Sequence, residues 1–326
     1  MGLILIRIEV HMLARNLNLS LSRIMPLFLM LSLVLLPLMS FADHSRPKKE
    51  SQTKKLPYQL AIGAIFRDEA SYLKEWIEYH LLVGVDHFYL YNNLSSDDYK
   101  QVLEPYIKKG LVELTNWSFA YERISRWSPI QCSAYSEILQ KASGKAKWLA
   151  IIDIDEFIVP LKEDNLRTAL AEYENYGALG VNWQMFGTAN VQKIPANRHL
   201  IETLLLKGPV DYTDNIHVKC IVRPERTSSC ESPHYCHLQR GYVQVNTNKE
   251  IFMGPFSPYV ASDKIVINHY WTRDIDYLKQ KKIARRNAWQ EGEEGVMQRA
   301  NQLNQVEDRA IVRFAPQLRK KIFLNT

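Results

Sequence analysis

The sequence predicts an α/β fold: a Rossmann-like, mixed but mainly parallel sheet flanked by helices. Three observations predict it. Between Leu60 and Asp153, short apolar runs alternate with amphipathic stretches in the order strand, helix, strand, helix, strand, helix, strand, which implies parallel strands joined by right-handed crossovers. The last of these strands, Trp148-Leu149-Ala150-Ile151-Ile152-Asp153, is nearly continuous in apolar residues, as a strand buried on both faces must be. Asp153 ends it and Asp155 and Glu156 follow, at the strand end where open α/β sheets gather their ligands.

In chain order, Leu60 to Ile65 is the first strand, stopping at Phe66-Arg67-Asp68-Glu69. The helix after it carries Leu73, Trp76, Ile77, His80 and Leu81 on one face, and Gly84 supplies its stop. His80 on that apolar face reads as a hydrogen-bonded core histidine. Val85 to Tyr91 is the second strand, and Asn92-Asn93-Leu94-Ser95-Ser96-Asp97-Asp98 is a loop that caps a helix over Asp97 to Lys109. Leu111 to Trp117 is the third strand and Pro129 to Ala142 the third helix, ended by Gly144. Beyond the acids, Asn165 to Tyr176 reads as a helix capped by Asp164 or Asn165, and Ala178 to Phe186 as a strand. Asp211 to Asn215 is a polar turn, His217 to Arg223 a strand, and Thr227 to Gly241 a loop. Lys264 to Ile267 is a strand, and a helix runs from Asp274 to Trp289 with Leu278 and Ile283 toward the protein. The organisation is therefore a leader (1–42), a polar basic linker (43–57), the α/β domain (58–290) and a helical tail packed on it (291–326).

The leader carries Arg7, Arg15 and Arg23 ahead of Ile24 to Ala42, a stretch of 19 residues without a charge. Ser40-Phe41-Ala42 has the small-x-small pattern of a secretory cleavage site, yet the stretch is also long enough to span a bilayer once. A signal peptide and a signal anchor both remain open, and either makes the protein membrane-associated or exported. The formal net charge is +6, too mild to imply nucleic acid as a partner. Cys132, Cys220, Cys230 and Cys236 show no Cys-x-x-Cys spacing, which argues against structural zinc. Cys220, Cys230 and Cys236 lie close enough to permit one disulfide in an exported domain.

Asp153 and Asp155 alternate about Ile154, so an extended chain points both acids one way. Two hard oxygen ligands so placed hold Mg²⁺ or Mn²⁺ against phosphates. A solvated acidic turn is the plain alternative, but Phe157-Ile158-Val159 hem the acids in, and unpaired charge is costly in apolar surroundings. Neither Gly-x-Gly-x-x-Gly nor a P-loop occurs, so a metal rather than a glycine loop has to neutralise the phosphates. The loops after strands one, two and four share one sheet edge. They are expected to place Arg67-Asp68-Glu69, Asn92-Asn93 and Asp153-Asp155 around one crevice, with base and ribose outside and the diphosphate over the metal.

Phe66-Arg67-Asp68-Glu69-Ala70, Tyr72-Leu73-Lys74-Glu75-Trp76-Ile77-Glu78-Tyr79-His80, Gly84-Val85-Asp86-His87-Phe88-Tyr89 and Ile152-Asp153-Ile154-Asp155-Glu156-Phe157 together resemble glycosyltransferase family 92. The likeness runs from about Leu60 to about Arg286 and implies a GT-A fold related to the family 2 glycosyltransferases, with inverting chemistry. Where the family often has Tyr-Asp-Asn, this chain has Tyr91-Asn92-Asn93, so Asn92 would meet the donor as a neutral group. Trp183, Phe186 and Gly187 resemble the family's Trp-x-x-Phe-Gly and imply an aromatic acceptor platform, although Trp183 also reads as plain core. Asn268-His269-Tyr270 resembles its Asn-His-Tyr segment and implies His269 as a third metal ligand. Lys281 and Arg285 lie where the family carries bases and are expected on the donor diphosphate.

The resulting expectation is a metal-dependent glycosyltransferase moving a hexose, with galactose in front, from a UDP-linked nucleotide sugar to a glycan or glycolipid acceptor. Asp153, Asp155 and His269 would hold Mn²⁺ or Mg²⁺. Arg67, Asp68, Glu69, Asn92, Asp153, Lys281 and Arg285 would bind donor, Trp183 and Phe186 acceptor, and Asp214 or Glu231 would be the catalytic base. Two rivals stand beside it. A haloacid-dehalogenase-type phosphatase also places Asp-x-Asp at a strand end, but usually has Thr or Val where this chain has Phe157. A non-catalytic carbohydrate-binding protein on the same fold is the other.

Overall fold

The structure, a computed structural model, describes residues 55–120, 127–283 and 292–323. The leader, most of the linker and Arg285 lie outside the described residues. Among the described residues, no helix is long and apolar enough to cross a membrane.

The first part alternates as expected. Strand β1 (Tyr58–Phe66) is followed by helix α1 (Ala70–Leu82), β2 (His87–Asn92), α2 (Tyr99–Lys108), β3 (Val112–Asn116), α3 (Trp127–Ala142) and β4 (Ala146–Ile151). β3, β2, β1 and β4 lie side by side and all pair in parallel. Strand periodicity splits β1 between two apolar layers. Leu60, Ile62, Ala64 and Phe66 pack with Trp76 and Leu103 of α1 and α2, while Ala61 and Ile65 pack with Tyr135 and Ile138 of α3. Gly63 lets α3 come close, because a Cβ there would stand 2.5 Å from Ile138 Cγ2.

The remainder turns the sheet into two joined parts. β5 (Glu156–Pro160), β6 (Ala178–Met185), β7 (Leu206–Lys207), β8 (Val218–Val222), β9 (Thr227–Ser232), β10 (Tyr235–Leu238), β11 (Gln244–Val245) and β12 (Ile265–His269) follow in order. β8 lies antiparallel between β4 and the first half of β6, and β12 pairs in parallel with the second half of β6. β5 closes the far edge, antiparallel to β12. β6 thus belongs to both parts, and only Ile152 to Asp155 connect β4 to β5 across the junction. The acidic segment is the bridge between the two halves of the sheet.

Helix α1 fastens β5, directly after that bridge. Trp76 Nε1 donates to Glu156 O at 2.8 Å and Tyr79 Oη to Ile158 O at 3.0 Å. His80 is a core histidine, as read. Its Nδ1 sits 2.8 Å from Trp76 O, and Ile158 N–H donates to its Nε2 at 3.3 Å. Burial pushes its pKa down to about 3, so it stays neutral.

Three elements differ from the sequence reading. The helix expected over Asn165–Tyr176 is α4 (Leu166–Leu170) and one 3₁₀ turn, with Asn165 as its cap accepting from Arg167 N–H at 2.8 Å. The region Thr227–Gly241 is a β9–β10 hairpin, not a loop, closed by a Cys230–Cys236 disulfide. Its turn holds Pro233 and His234 but no glycine, so the usual hairpin signal is missing. Cys220 remains a buried free thiol. After Asp274, a short helical turn (Ile275–Tyr277) passes into a π-helical turn over Leu278–Ile283, with Leu278 and Ile283 buried as expected, and the rest of the helix expected to Trp289 lies outside the described residues. Toward the C-terminus, Val296, Leu303, Phe314 and Leu318 enter the main core, and Val306–Glu307 pairs with β7.

Glu75 of α1 ties in the helix at Leu200–Thr203, its carboxylate accepting from Leu200 and Ile201 N–H at 3.0 and 3.1 Å. Burial outweighs these donors and pushes its pKa up to about 7. The folded state therefore holds this proton more tightly than the unfolded chain. That stabilisation is complete below about pH 4.5 and is lost as pH rises through about 7. Glu75→Gln should flatten the fall in unfolding temperature across this window, read by thermal denaturation at stepped pH. An unchanged slope would mean that another group titrates there.

Candidate functional site

At the C-terminal ends of β1, β4, β6 and β12 the fold leaves a cleft of about 330 Å³. Arg67, Glu69, Asp153, Asp155, Trp183 and His269 all stand in its wall, joined by Gln131, His234, Trp271 and Lys282. The fold therefore brings together six residues singled out in the sequence. Asp68 and Lys281 are not among them. They line a neighbouring cavity of about 360 Å³, together with Tyr72 and Tyr277.

Other expectations are corrected. Asn92 does not line the cleft: it is buried, donates to Tyr99 Oη at 2.9 Å and accepts from Ser95 N–H at 3.0 Å. Asn93 likewise donates to the carbonyls of Trp117 and Phe119. These amides hold loops together. Phe186 is fully buried against Tyr270, 4.6 Å between ring centres, so it is core rather than platform. Glu231 points outward from the hairpin, its side chain 71% exposed and 3.5 Å from His237. Asp214 pairs with Arg299, whose guanidinium lies 4.8 Å from the Trp271 ring. That places Asp214 behind the cleft wall, not in it.

The acids are held by cations that the sequence reading missed. Lys219 of β8, 1% exposed, donates to Asp153 Oδ2 at 2.8 Å and stands 3.4 Å from Glu156 Oε2. Tyr135 Oη and Gln131 Nε2 donate to Asp153 Oδ1 at 3.1 and 3.3 Å. The Asp153 N–H in turn donates to Glu156 Oε2 at 2.8 Å. Asp155 has Lys282 Nζ at 2.9 Å from Oδ2 and His269 Nε2 at 3.5 Å from Oδ1. Glu69 faces Arg273 at 2.6 Å.

Electrostatics follow from these contacts. Burial alone would raise the pKa of Asp153, but Lys219 overrides it and holds the acid below its ordinary value. Burial opposes ionisation of Asp155 as well, and Lys282 with His269 drives its pKa well below normal. Burial dominates at Glu156 and pushes it up to about 7. Burial, then Lys219, lowers His234 to about 3, so this imidazole is neutral and is a poor base near pH 7. Two ionised aspartates thus face a cleft walled by indole and imidazole. Trp183 lies 4.5 Å from His269, 5.0 Å from His217 and 4.9 Å from His234, ring to ring.

Among the described residues, no three His, Cys, Asp or Glu side chains converge as a ready metal-binding set. Asp155 and His269 do face one another, His269 presenting Nε2 to Asp155 Oδ1 at 3.5 Å while its Nδ1 stands 3.9 Å from Glu156 Oε1. One carboxylate and one imidazole suit a hexacoordinate divalent ion whose other ligands are phosphate and water oxygens. The side chains fit that ion at Asp155 and His269. At Asp153 both oxygens are already engaged.

The class defined by fold and site is an α/β protein with a strand-end acidic cleft open to a polar ligand. The glycosyltransferase family 92 model matches residues 61–306, and the chain belongs to glycosyltransferase family 92. A family 92 protein of Ricinus communis is 28% identical over 236 residues, covering 69% of this chain and 37% of that one. The Caenorhabditis elegans β-1,4-galactosyltransferase galt-1 is 23% identical over 171 residues, covering 51% of this chain and 39% of that one. This chain spans less than half the length of these relatives. Among solved structures, S. aureus TarS in complex with UDP aligns with a TM-score of 0.32 and 12% identity, over 51% of this chain and 47% of that one. Glucosyl-3-phosphoglycerate synthase from Mycobacterium tuberculosis, in complex with Mn²⁺, UDP and glucosyl-3-phosphoglycerate, aligns with a TM-score of 0.30 and 12% identity, over 52% and 58%.

Lys219 could have been found in the sequence: a lysine inside Val218-Lys219-Cys220-Ile221-Val222 must find a counter-charge once that strand is buried. Removing it leaves Asp153 and Glu156 buried without their cation. Lys219→Met is expected to cost about 3 kcal/mol in urea unfolding, and adding Glu156→Gln should recover part of it. A cost below about 0.5 kcal/mol would show that the ammonium is not structural.

Proposed function

We propose that this protein is a metal-dependent, inverting glycosyltransferase of GT-A type that moves a hexose from a nucleotide sugar, UDP-linked, to a glycan or glycolipid acceptor. The observation that carries this reading is the ionised Asp153–Asp155 pair at the strand end, with His269 facing Asp155, in a chain of family 92. Galactose is the sugar we favour; galt-1, a distant relative, is named for galactosyl transfer.

In this reading Asp155 and His269 hold Mn²⁺ or Mg²⁺, and Asp153 completes the acidic end of the cleft. The ion, when bound, offsets the negative charge that grows on the departing diphosphate. The chain's own residues do the rest. Arg67, on the cleft wall, faces the donor side, and Glu69 is kept in place by Arg273. Asp68 and Lys281 in the neighbouring cavity are suited to the polar groups of the nucleoside. Trp183 offers an apolar wall to the C–H face of a sugar. An inverting displacement also needs a carboxylate to take the acceptor proton. Of the two candidates, Glu231 points outward, and Asp214 is linked to the cleft wall through Arg299, which lies against Trp271. The uncharged stretch Ile24–Ala42 either anchors the protein in a membrane or, as a signal peptide that is removed, exports it. A phosphatase using the first aspartate as nucleophile is not supported, since Lys219, Tyr135 and Gln131 engage both Asp153 oxygens.

Calorimetric titration of UDP into the full chain, with Mn²⁺ and with EDTA, tests the reading. Binding should require Mn²⁺ and weaken by at least about tenfold in Asp155→Asn. UDP binding that EDTA and the substitution leave unchanged would remove the metal from the mechanism. Sugar binding without any nucleotide affinity would favour a carbohydrate-binding protein instead.

A further inference from the structure

Among the described residues, three cations are paired with the carboxylates that stand in or next to the acidic end of the cleft, Lys219 with Asp153 and Glu156, Arg273 with Glu69, and Lys282 with Asp155, while Arg67 in the wall pairs outward with Asp68 at 3.8 Å. The three are not equivalent. Lys219 and Arg273 are 1% and 0% exposed, and neither lines the cleft. Lys219 is fixed in a central strand, and Arg273 is stacked between Tyr72 at 3.6 Å and Tyr277 at 4.6 Å. Both are permanent counter-ions. Lys282 does line the cleft, on the π-helical turn anchored by buried Leu278 and Ile283. Its ammonium ends a flexible four-carbon stem and can turn from one oxygen to another without moving the backbone. It holds Asp155 Oδ2, on one of the two residues suited to a divalent ion.

We propose that Lys282 is an exchangeable counter-ion. It neutralises Asp155 in the empty cleft, then passes to the diphosphate of an incoming nucleotide and releases the carboxylate to a divalent cation. This rests on the nucleotide–metal reading above and adds an order to it. A dication arriving alone must displace an ammonium that has nowhere better to go. With a nucleoside diphosphate present, the same ammonium gains a new anion as the dication gains Asp155. Ion and nucleotide therefore favour each other's entry through Lys282, and by linkage the effect is equal in both directions.

The test follows free Mn²⁺ by electron paramagnetic resonance during titration of the full chain, with and without UDP, in wild type, Lys282→Met, Lys282→Gln and Lys282→Arg. Matching thermal unfolding and circular dichroism select the variants that fold. Without UDP, Lys282→Met and Lys282→Gln should bind Mn²⁺ about tenfold more tightly than wild type, and the factor by which UDP tightens Mn²⁺ should shrink by about the same amount. Lys282→Arg keeps a cation and should behave like wild type. Equal Mn²⁺ affinity in wild type and both neutral variants overturns the exchange while leaving the metal site standing. Mn²⁺ bound by none of them, even with UDP, overturns the nucleotide–metal reading and the exchange with it.

Discussion

The ammonium of Lys219 is the contact on which the acidic end of the cleft depends. Four residues carry the chain from β4 to β5 across the junction of two half-sheets, and among them are both aspartates. Left alone, Asp153 and Glu156 would repel one another inside an apolar core. Glu156 is fully buried and Asp153 is partly so. One strand away, Lys219 supplies a fixed positive charge to both. The backbone N–H of Asp153 then bonds Glu156, so charge pairing and chain geometry fix the same turn. A buried pair of this kind adds little net stability over apolar packing, but breaking it is expensive. Its contribution here is specificity of position: it holds Asp153 ionised and oriented, at the mouth of a strand that would otherwise end in an unpaired acid.

The first half of the fold was legible because one signal recurred. Apolar runs at strand spacing alternate with helices at three-and-four spacing, and glycines mark the stops at Gly84, Gly110 and Gly144, all with positive φ. The second half was less legible because its order in the sheet is set by long-range pairing. Nothing local to β6 says that its two halves serve different partners. The β9–β10 hairpin was missed because its turn, with Pro233 and His234, lacks the glycine signal of a tight hairpin, and the Cys230–Cys236 bond that spans it was one of several pairings open to the three nearby cysteines. The site divides in the same way. Asp153, Asp155 and His269 sit at strand ends, where sequence and topology point together. Lys282 rather than Lys281 faces the cleft because a π-helical turn displaces side chains from α-helical register, which charge pattern alone does not reveal. Asn92 and Phe186 sat in promising motifs, but their hydrogen bonds and packing turned inward.

Two non-glycine residues that flank the cleft have positive φ. Asp68, at φ 54°, follows β1, and Arg273, at φ 51°, follows β12. Such backbone costs about 1 kcal/mol or more per residue and persists only where its surroundings fix it. The surroundings do so at both points. The Asp68 N–H donates to Ser95 Oγ at 2.9 Å, and its carboxylate accepts from Ser96 N–H at 2.7 Å. Arg273 is clasped between two tyrosine rings. The two strained positions meet through Glu69, which follows Asp68 directly and pairs with Arg273.

That meeting also accounts for the division of the cleft. Glu69 stands in the wall of the central cavity, while Tyr72 and Tyr277, the rings that hold its partner, line the neighbouring one. The Glu69–Arg273 pair is therefore part of a partition with one carboxylate face and one aromatic face. A ligand large enough to occupy both cavities would have its charged part among Asp153, Asp155 and Lys282, and its uncharged polar part beside Asp68, Asp97 and Lys281. A nucleotide sugar has this division of chemistry. A partition that moved would let the ligand slide along it. Stacking, ion pairing and left-handed backbone at both ends resist that movement, so the wall between the two cavities is held as firmly as the acids are.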